Sequence, residues 1–242
     1  MANAKTVNWF DLDRSSLYTY FYSLNKKIVG KHLTPDQIHR LISKHVKQVL
    51  PIKVIKKVED QKSTGYIYMG GVYHSLIDKK GSPAIELNLN YHPTDFTLKL
   101  TNYRWQRMSR RFADIIMHEM IHMRQFRTRH FKPIPVYQSN AESVKTRNSQ
   151  EYFGDRDEMG AFAFNSACEM IDRFGYNPHT IKRYMDTNNA TRHSNSWWHD
   201  YLKAFEFNHN HKIIRRMKKK IMRQLENAYY GKPFKTPDWL TY

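Results

Sequence analysis

Residues 111–126, RFADIIMHEMIHMRQF, decide how this chain is read. They run for at least four helical turns without Gly or Pro. Phe112, Ile115, Ile116, Met117, Met120, Ile121, Met123 and Phe126 cover most of the circumference. A helix apolar on nearly every side is a buried one. His118, Glu119 and His122 interrupt that surface with H-E-x-x-H spacing, and burying them without partners costs roughly a few kcal/mol. A metal ion removes the conflict. The four-residue step brings both imidazoles to one helix face, and Glu119 stands beside them, near a water that the metal would hold. Zinc lowers the pKa of such a water toward about 7, and the carboxylate takes its proton as the water attacks a polarised carbonyl. The expectation is a hydrolytic zinc site with His118 and His122 as ligands and Glu119 as general base.

Such a site takes a third protein ligand and keeps one position open. Glu158, His130, His179, His193 and His199 are the candidates. Glu158 is preferred, because DRDEMGAFAFNSA (155–167) places it at the start of a helix that continues through Ala161, Ala163 and Ala167. These small residues let that helix pack close to the metal helix. The alternative for Glu158 is a capping box, since it stands three residues after Asp155; the alternative ligand is His130. Asp114, one turn before His118, is a candidate acceptor for the second N–H of a ligand imidazole. Tyr152, Tyr176, His179 and Tyr184 are candidate oxyanion donors.

Before this helix, residues 11–28 read as one helix and TPDQIHRLISKHVKQVL (34–50) as another, opened by Thr34, Pro35 and Gln37. The second carries a stripe of Ile38, Leu41, Ile42, Val46 and Val49. From 51 to 101 the runs IKVIKKV, GYIYMGGVYH, AIELNLNY and FTLKLT, punctuated by glycines, predict three or four strands. AIELNLNY alternates apolar and polar residues, as expected of a sheet with helices on one face. After the metal helix, 155–174 is expected to be a helix opened by Asp155 and closed near Gly175, with shorter helices after Pro178 and Ser196 and a last one over 211–230. The expected class is α+β, with N-terminal helices and a small, mostly antiparallel sheet, then the metal helix and a helical C-terminal half.

The 242 residues suffice for a sizeable core. Mean hydropathy is −0.77 and no stretch approaches the roughly 20 consecutive apolar residues of a membrane span. The lone Cys168 excludes an internal disulfide framework and a cysteine-rich zinc ribbon. With no signal-like N-terminus, a cytoplasmic location is the default expectation. A net charge of +18 makes nucleic acid the leading partner class, acidic protein surfaces being the other. Arg104, Arg107, Arg110, Arg111, Arg124, Arg127, Arg129 and Lys132 bracket the metal helix as solvated charges or as a cationic rim. In the last helix Ile214, Met217, Ile221 and Leu225 form an apolar stripe. Arg215, Arg216, Lys218, Lys219, Lys220 and Arg223 on its other side are the candidate phosphate contacts. The rings of Trp197, Trp198, Tyr201 and Phe205 are read as core.

IIMHEMIHMRQF resembles the active-site helix of the zincin metallopeptidases, and HEMIH is similar to the metal-binding helix of SprT-like (Spartan-type) proteases, which cleave proteins attached to DNA. The resemblance covers roughly residues 35–172 and implies a zincin-like fold over residues 1–175, followed by a basic helical extension, 176–242. It also implies zinc-dependent proteolysis with His118 and His122 as ligands and Glu119 as base. SprT-like proteases take a third histidine from a loop after the helix, and many add a zinc ribbon. Here His130 is the nearby histidine and the ribbon cysteines are missing. Glu158 in DEMGAFAF instead resembles the downstream glutamate ligand of gluzincins. The expected function is a zinc metalloprotease acting on protein associated with nucleic acid or an acidic partner. The alternative is a basic nucleic-acid-binding or assembly protein that keeps the fold without proteolysis.

Overall fold

The computed structural model describes residues 13–187, apart from positions 61, 64, 83 and 95, and residues 196–229, without the side chains of 227–229. The chain divides into two compact units, 1–123 and 124–242, and the division falls inside one continuous helix.

The first unit opens with α1 (Arg14–Tyr22), capped by Asp13, whose carboxylate accepts from the Ser16 amide at 2.7 Å. The single helix expected over 11–28 is two, since α2 (Asn25–Ile28) starts anew after Ser23, whose hydroxyl donates to the Tyr20 carbonyl at 2.7 Å. Positions 11 and 12 lie outside the described residues. After β1 (His32–Leu33) comes α3 (Pro35–Val46), with the expected capping box. The Gln37 amide donates to Thr34 Oγ1 at 3.2 Å and the Thr34 amide to Gln37 Oε1 at 2.8 Å. Ile38, Ile42 and Val46 are buried, but α3 ends at Val46, which leaves Val49 beyond the stripe and 40% exposed.

Then follow β2 (Ile52–Val58), β3 (Tyr68–Tyr73), α4 (Ser75–Lys79), β4 (Ile85–Tyr91) and β5 (Leu98–Lys99). The three-stranded sheet has the order β2-β4-β3. It is mixed rather than mostly antiparallel: β4 enters between two strands of opposite direction, so it pairs parallel with β2 and antiparallel with β3. β1 and β5 form a separate two-residue antiparallel pair. Being central, β4 is buried at Ile85, Leu87 and Leu89 and also at Asn88 on its polar side.

Helix α5 (Asn102–Thr128) contains the expected stretch 111–126 and extends it at both ends. Phe112 lies 5.0 Å from the Phe21 ring and 6.2 Å from Trp105, all three fully buried. These rings fix α5 in the first unit.

The second unit holds the end of α5, then α6 (Val144–Gly154), α7 (Arg156–Phe174), α8 (Pro178–Asp186), α9 (Trp197–Ala204) and α10 (Lys212–Tyr229). The sequence reading omitted α6, because VKTRNSQEYFG has no apolar stripe of helical period; only Gln150 and Gly154 on it are buried. Helices α7 and α9 start at the expected Asp155 and Ser196, α8 starts at Pro178 with Asn177 as its cap, and α7 stops at Gly175 with φ +64°. Trp198, Tyr201 and Phe205 are core, packed with Phe162, Ala163 and Ala167 and with the α10 stripe Ile214, Met217, Ile221 and Leu225. Among the described residues no helix is long and apolar enough to cross a membrane.

Candidate metal centre

His118, Glu119 and His122 lie in the buried middle of α5, at 7, 7 and 8% exposure. The two Nε2 atoms stand 3.1 Å apart, with the rings at 73°. Two nitrogens bound tetrahedrally to one zinc at about 2.0–2.1 Å would be about 3.3 Å apart. The spacing is that of a direct ring–ring hydrogen bond and is also close to that of two ligands of one ion.

Residues 118, 122, 125 and 129 recur at helical spacing along one face of α5. The last two anchor the start of α7. The Gln125 side-chain amide donates to the Asp157 carbonyl at 3.1 Å, and Arg129 pairs with the Asp157 carboxylate at 2.6 Å, both side chains less than one-fifth exposed. Both anchors lie within the second unit and fix the first turn of α7, which carries Glu158. Ligand atoms of His118, His122 and Glu158 all lie within 4.8 Å of one another.

Local structure sets Glu158 in place. The Asp155 carboxylate caps α7, accepting from the amides of Asp157 at 2.8 Å and Glu158 at 3.4 Å. The Asp155 amide itself donates to the Tyr152 carbonyl at 3.2 Å, so the cap is complete without the Glu158 side chain. The α6–α7 corner is tight: a Cβ on Gly154 would collide with the Tyr137 ring. Tyr201, fully buried, donates to the Phe153 carbonyl there at 2.6 Å. Burial raises the Tyr201 hydroxyl well above the usual phenol range, and the nearby charges of Glu158, Tyr152 and Asp155 raise it further. Tyr201 thus stays a neutral donor that braces the corner.

The other candidates fall elsewhere. His130 is exposed just past α5, with φ +53°. His179 lines a cavity of about 530 Å³ with Tyr176, Met222 and Glu226. His199 sits 5.7 Å from the Phe207 ring, and His193 lies outside the described residues. Asp114 is paired with Arg14 Nε at 2.6 Å. Tyr184 is buried and accepts from Arg173 at 3.4 Å, while Tyr152 is half-exposed beside Phe153 and Phe162. Arg129, expected as a solvated or rim charge, is instead paired with Asp157. Gln125 and Asp157 are not among the sequence candidates, although Gln125 and Arg129 continue the histidine face by one and two turns.

On α10, Arg215, Arg216, Lys219 and Arg223 are exposed. Lys218 is held at 2.7 Å by Asp186. Lys220 is half-buried, and burial, with repulsion from Arg156, Arg216 and Arg223, pulls its ammonium down to about 7. The candidate phosphate contacts are thus of two kinds: four open to solvent and two engaged in the fold. Comparison of the chain with protein-family models, curated proteins and solved structures finds no match.

Proposed function

We propose that the chain is a zinc-dependent metallopeptidase of zincin type, with the ion held by His118, His122 and Glu158. The observation that carries this reading is the approach of three ligand atoms to within 4.8 Å of one another, beside the buried carboxylate of Glu119. Two imidazoles and one carboxylate form a donor set suited to zinc with an open position. Bound there, zinc supplies Lewis acidity, bringing the pKa of water toward about 7 and polarising a carbonyl. Glu119, next to His118 on a rigid helix, takes the proton released as water attacks the peptide carbon and delivers it to the leaving amine. The anchorage of Asp157 by Gln125 and Arg129 keeps the third ligand in register.

Casein and a pool of quenched-fluorescent peptides test the reaction class. Hydrolysis should stop on adding a zinc chelator and return with stoichiometric zinc. Activity indifferent to the chelator, or none with zinc loaded, contradicts the reading.

A second reading, a polyanion-binding function with or without proteolysis, is favoured by the four exposed cations of α10. Each phosphate contact on duplex DNA contributes about −0.9 to the slope of log affinity against log salt. Arg215, Arg216, Lys219 and Arg223 then give a slope of about −3 to −4, and replacing all four by Gln should flatten it while leaving hydrolysis of a short free peptide unchanged. Salt-insensitive binding, or a slope unmoved by those changes, would exclude DNA as the partner of this face.

A further inference from the structure

Resting on the reading of Glu119 as the base, we infer that Gly71 of edge strand β3 is its positioning residue. In β3 the side chains alternate between two faces: Tyr68 and Val72 are exposed, whereas Met69, Gly71 and Tyr73 share the opposite, partly buried face. Gly71 is paired with Leu87 of the central strand, so its backbone is fixed by the sheet. A Cβ at position 71 would stand 2.6 Å from Ile115 Cγ2, 2.7 Å from Glu119 Oε1 and 2.8 Å from Glu119 Cγ. All three distances are shorter than side chains tolerate, so something has to move.

Ile115 and Glu119 are one turn apart on α5. Ile115 is β-branched, held to essentially one χ1 rotamer in a helix, and buried. Glu119 has free torsions and turns away from its two contacts, whereas the contact with Ile115 Cγ2 persists and is taken up as overpacking between β3 and α5. The bare backbone of Gly71 accordingly forms a wall against which the Glu119 carboxylate rests, and that wall selects its rotamer. Gly71 carries no left-handed φ, so the requirement is for space and not for backbone freedom. Gly70, the preceding residue, has nothing within 4 Å of its own Cβ position and supplies a control with the same change in strand propensity.

Gly71→Ala should keep one zinc per chain, since the three atoms nearest the added methyl belong to Ile115 and Glu119 and not to the proposed ligands. It should lower kcat on the quenched peptides about 10²-fold, the order of loss for a catalytic group misplaced by about 1 Å, with KM nearly unchanged. Gly70→Ala should leave both constants at the wild-type values. A second readout needs no activity. Gly71→Ala should lower Tm by about 3–8 °C in the wild-type background, the overpacking loss expected for a chain of this size, and by clearly less in a Glu119→Ala background, where the carboxylate is gone. Equal Tm losses in the two backgrounds, or an unchanged kcat, overturn the inference. If the wild-type chain hydrolyses nothing, the peptidase reading fails by itself, and the difference between the two Tm losses still decides whether position 71 holds Glu119.

Discussion

Glu119→Gln is expected to lower peptide hydrolysis about 10²–10⁴-fold while zinc content and thermal stability stay at the wild-type values. The size follows from the role. A general base in place contributes typically that much to the rate, and an amide cannot take a proton from water near neutral pH. Glutamine has the shape of glutamate, so it fits the same space against Gly71 and Ile115 and leaves helix propensity almost untouched. The change therefore separates proton transfer from folding and from metal binding. The measurement is kcat on a quenched peptide, read beside zinc content and Tm. A variant within tenfold of wild type would remove Glu119 from the chemistry.

The second large effect is expected from Glu158→Ala, on zinc affinity. Loss of an outer hydrogen-bond partner of a metal ligand already weakens binding 10–100-fold. Loss of one of three protein ligands should exceed that, by more than about 100-fold in a competition titration with a chromophoric chelator. His130→Ala should not alter affinity, because His130 lies exposed beyond the end of α5. Stability reports the same difference. Zinc at 100 times its Kd stabilises the folded chain by about 2.7 kcal/mol, equivalent to roughly 5–10 °C in Tm at this size, and Glu158→Ala should lose most of that gain at the same zinc concentration.

Most helices were legible in the sequence because their ends carry chemistry that acts locally. Thr34 with Gln37, Asp155, Ser196 and Gly175 all terminate helices where side-chain and backbone preferences place the ends. The break at Ser23 was not legible, since a side-chain bond back to Tyr20 leaves no mark in composition. Helix α6 was missed for want of an apolar period, and the parallel pairing of β2 with β4 depends on a crossover that no single strand encodes. At the candidate site, the ligand spacing of His118 and His122 is a property of one helix and could be read directly. The preference for Glu158 over His130 rested on small residues around the former. Ligand atoms of Glu158 and the two histidines lie within 4.8 Å of one another, and the neighbouring Asp157 is held by Gln125 and Arg129, about thirty positions away in sequence. In sequence the glycines of 51–101 only punctuate the strand runs, whereas the structure gives Gly71 a close approach to Ile115 and Glu119. Among the basic residues of α10, sequence could not distinguish the exposed Arg216 from the half-buried Lys220 four residues on, because that depends on which neighbours α7 supplies.

The central claim is that His118, His122 and Glu158 hold one divalent ion. Zinc-edge X-ray absorption on the purified full chain, with elemental analysis of the same sample, tests it most directly. The expected result is about one zinc per chain, with two imidazole nitrogens at about 2.0–2.1 Å and oxygen ligands completing the shell, and with the two-imidazole signature lost in a His118→Ala, His122→Ala double variant. A chain that takes up no zinc, or one whose zinc environment is unchanged by that double variant, would contradict it.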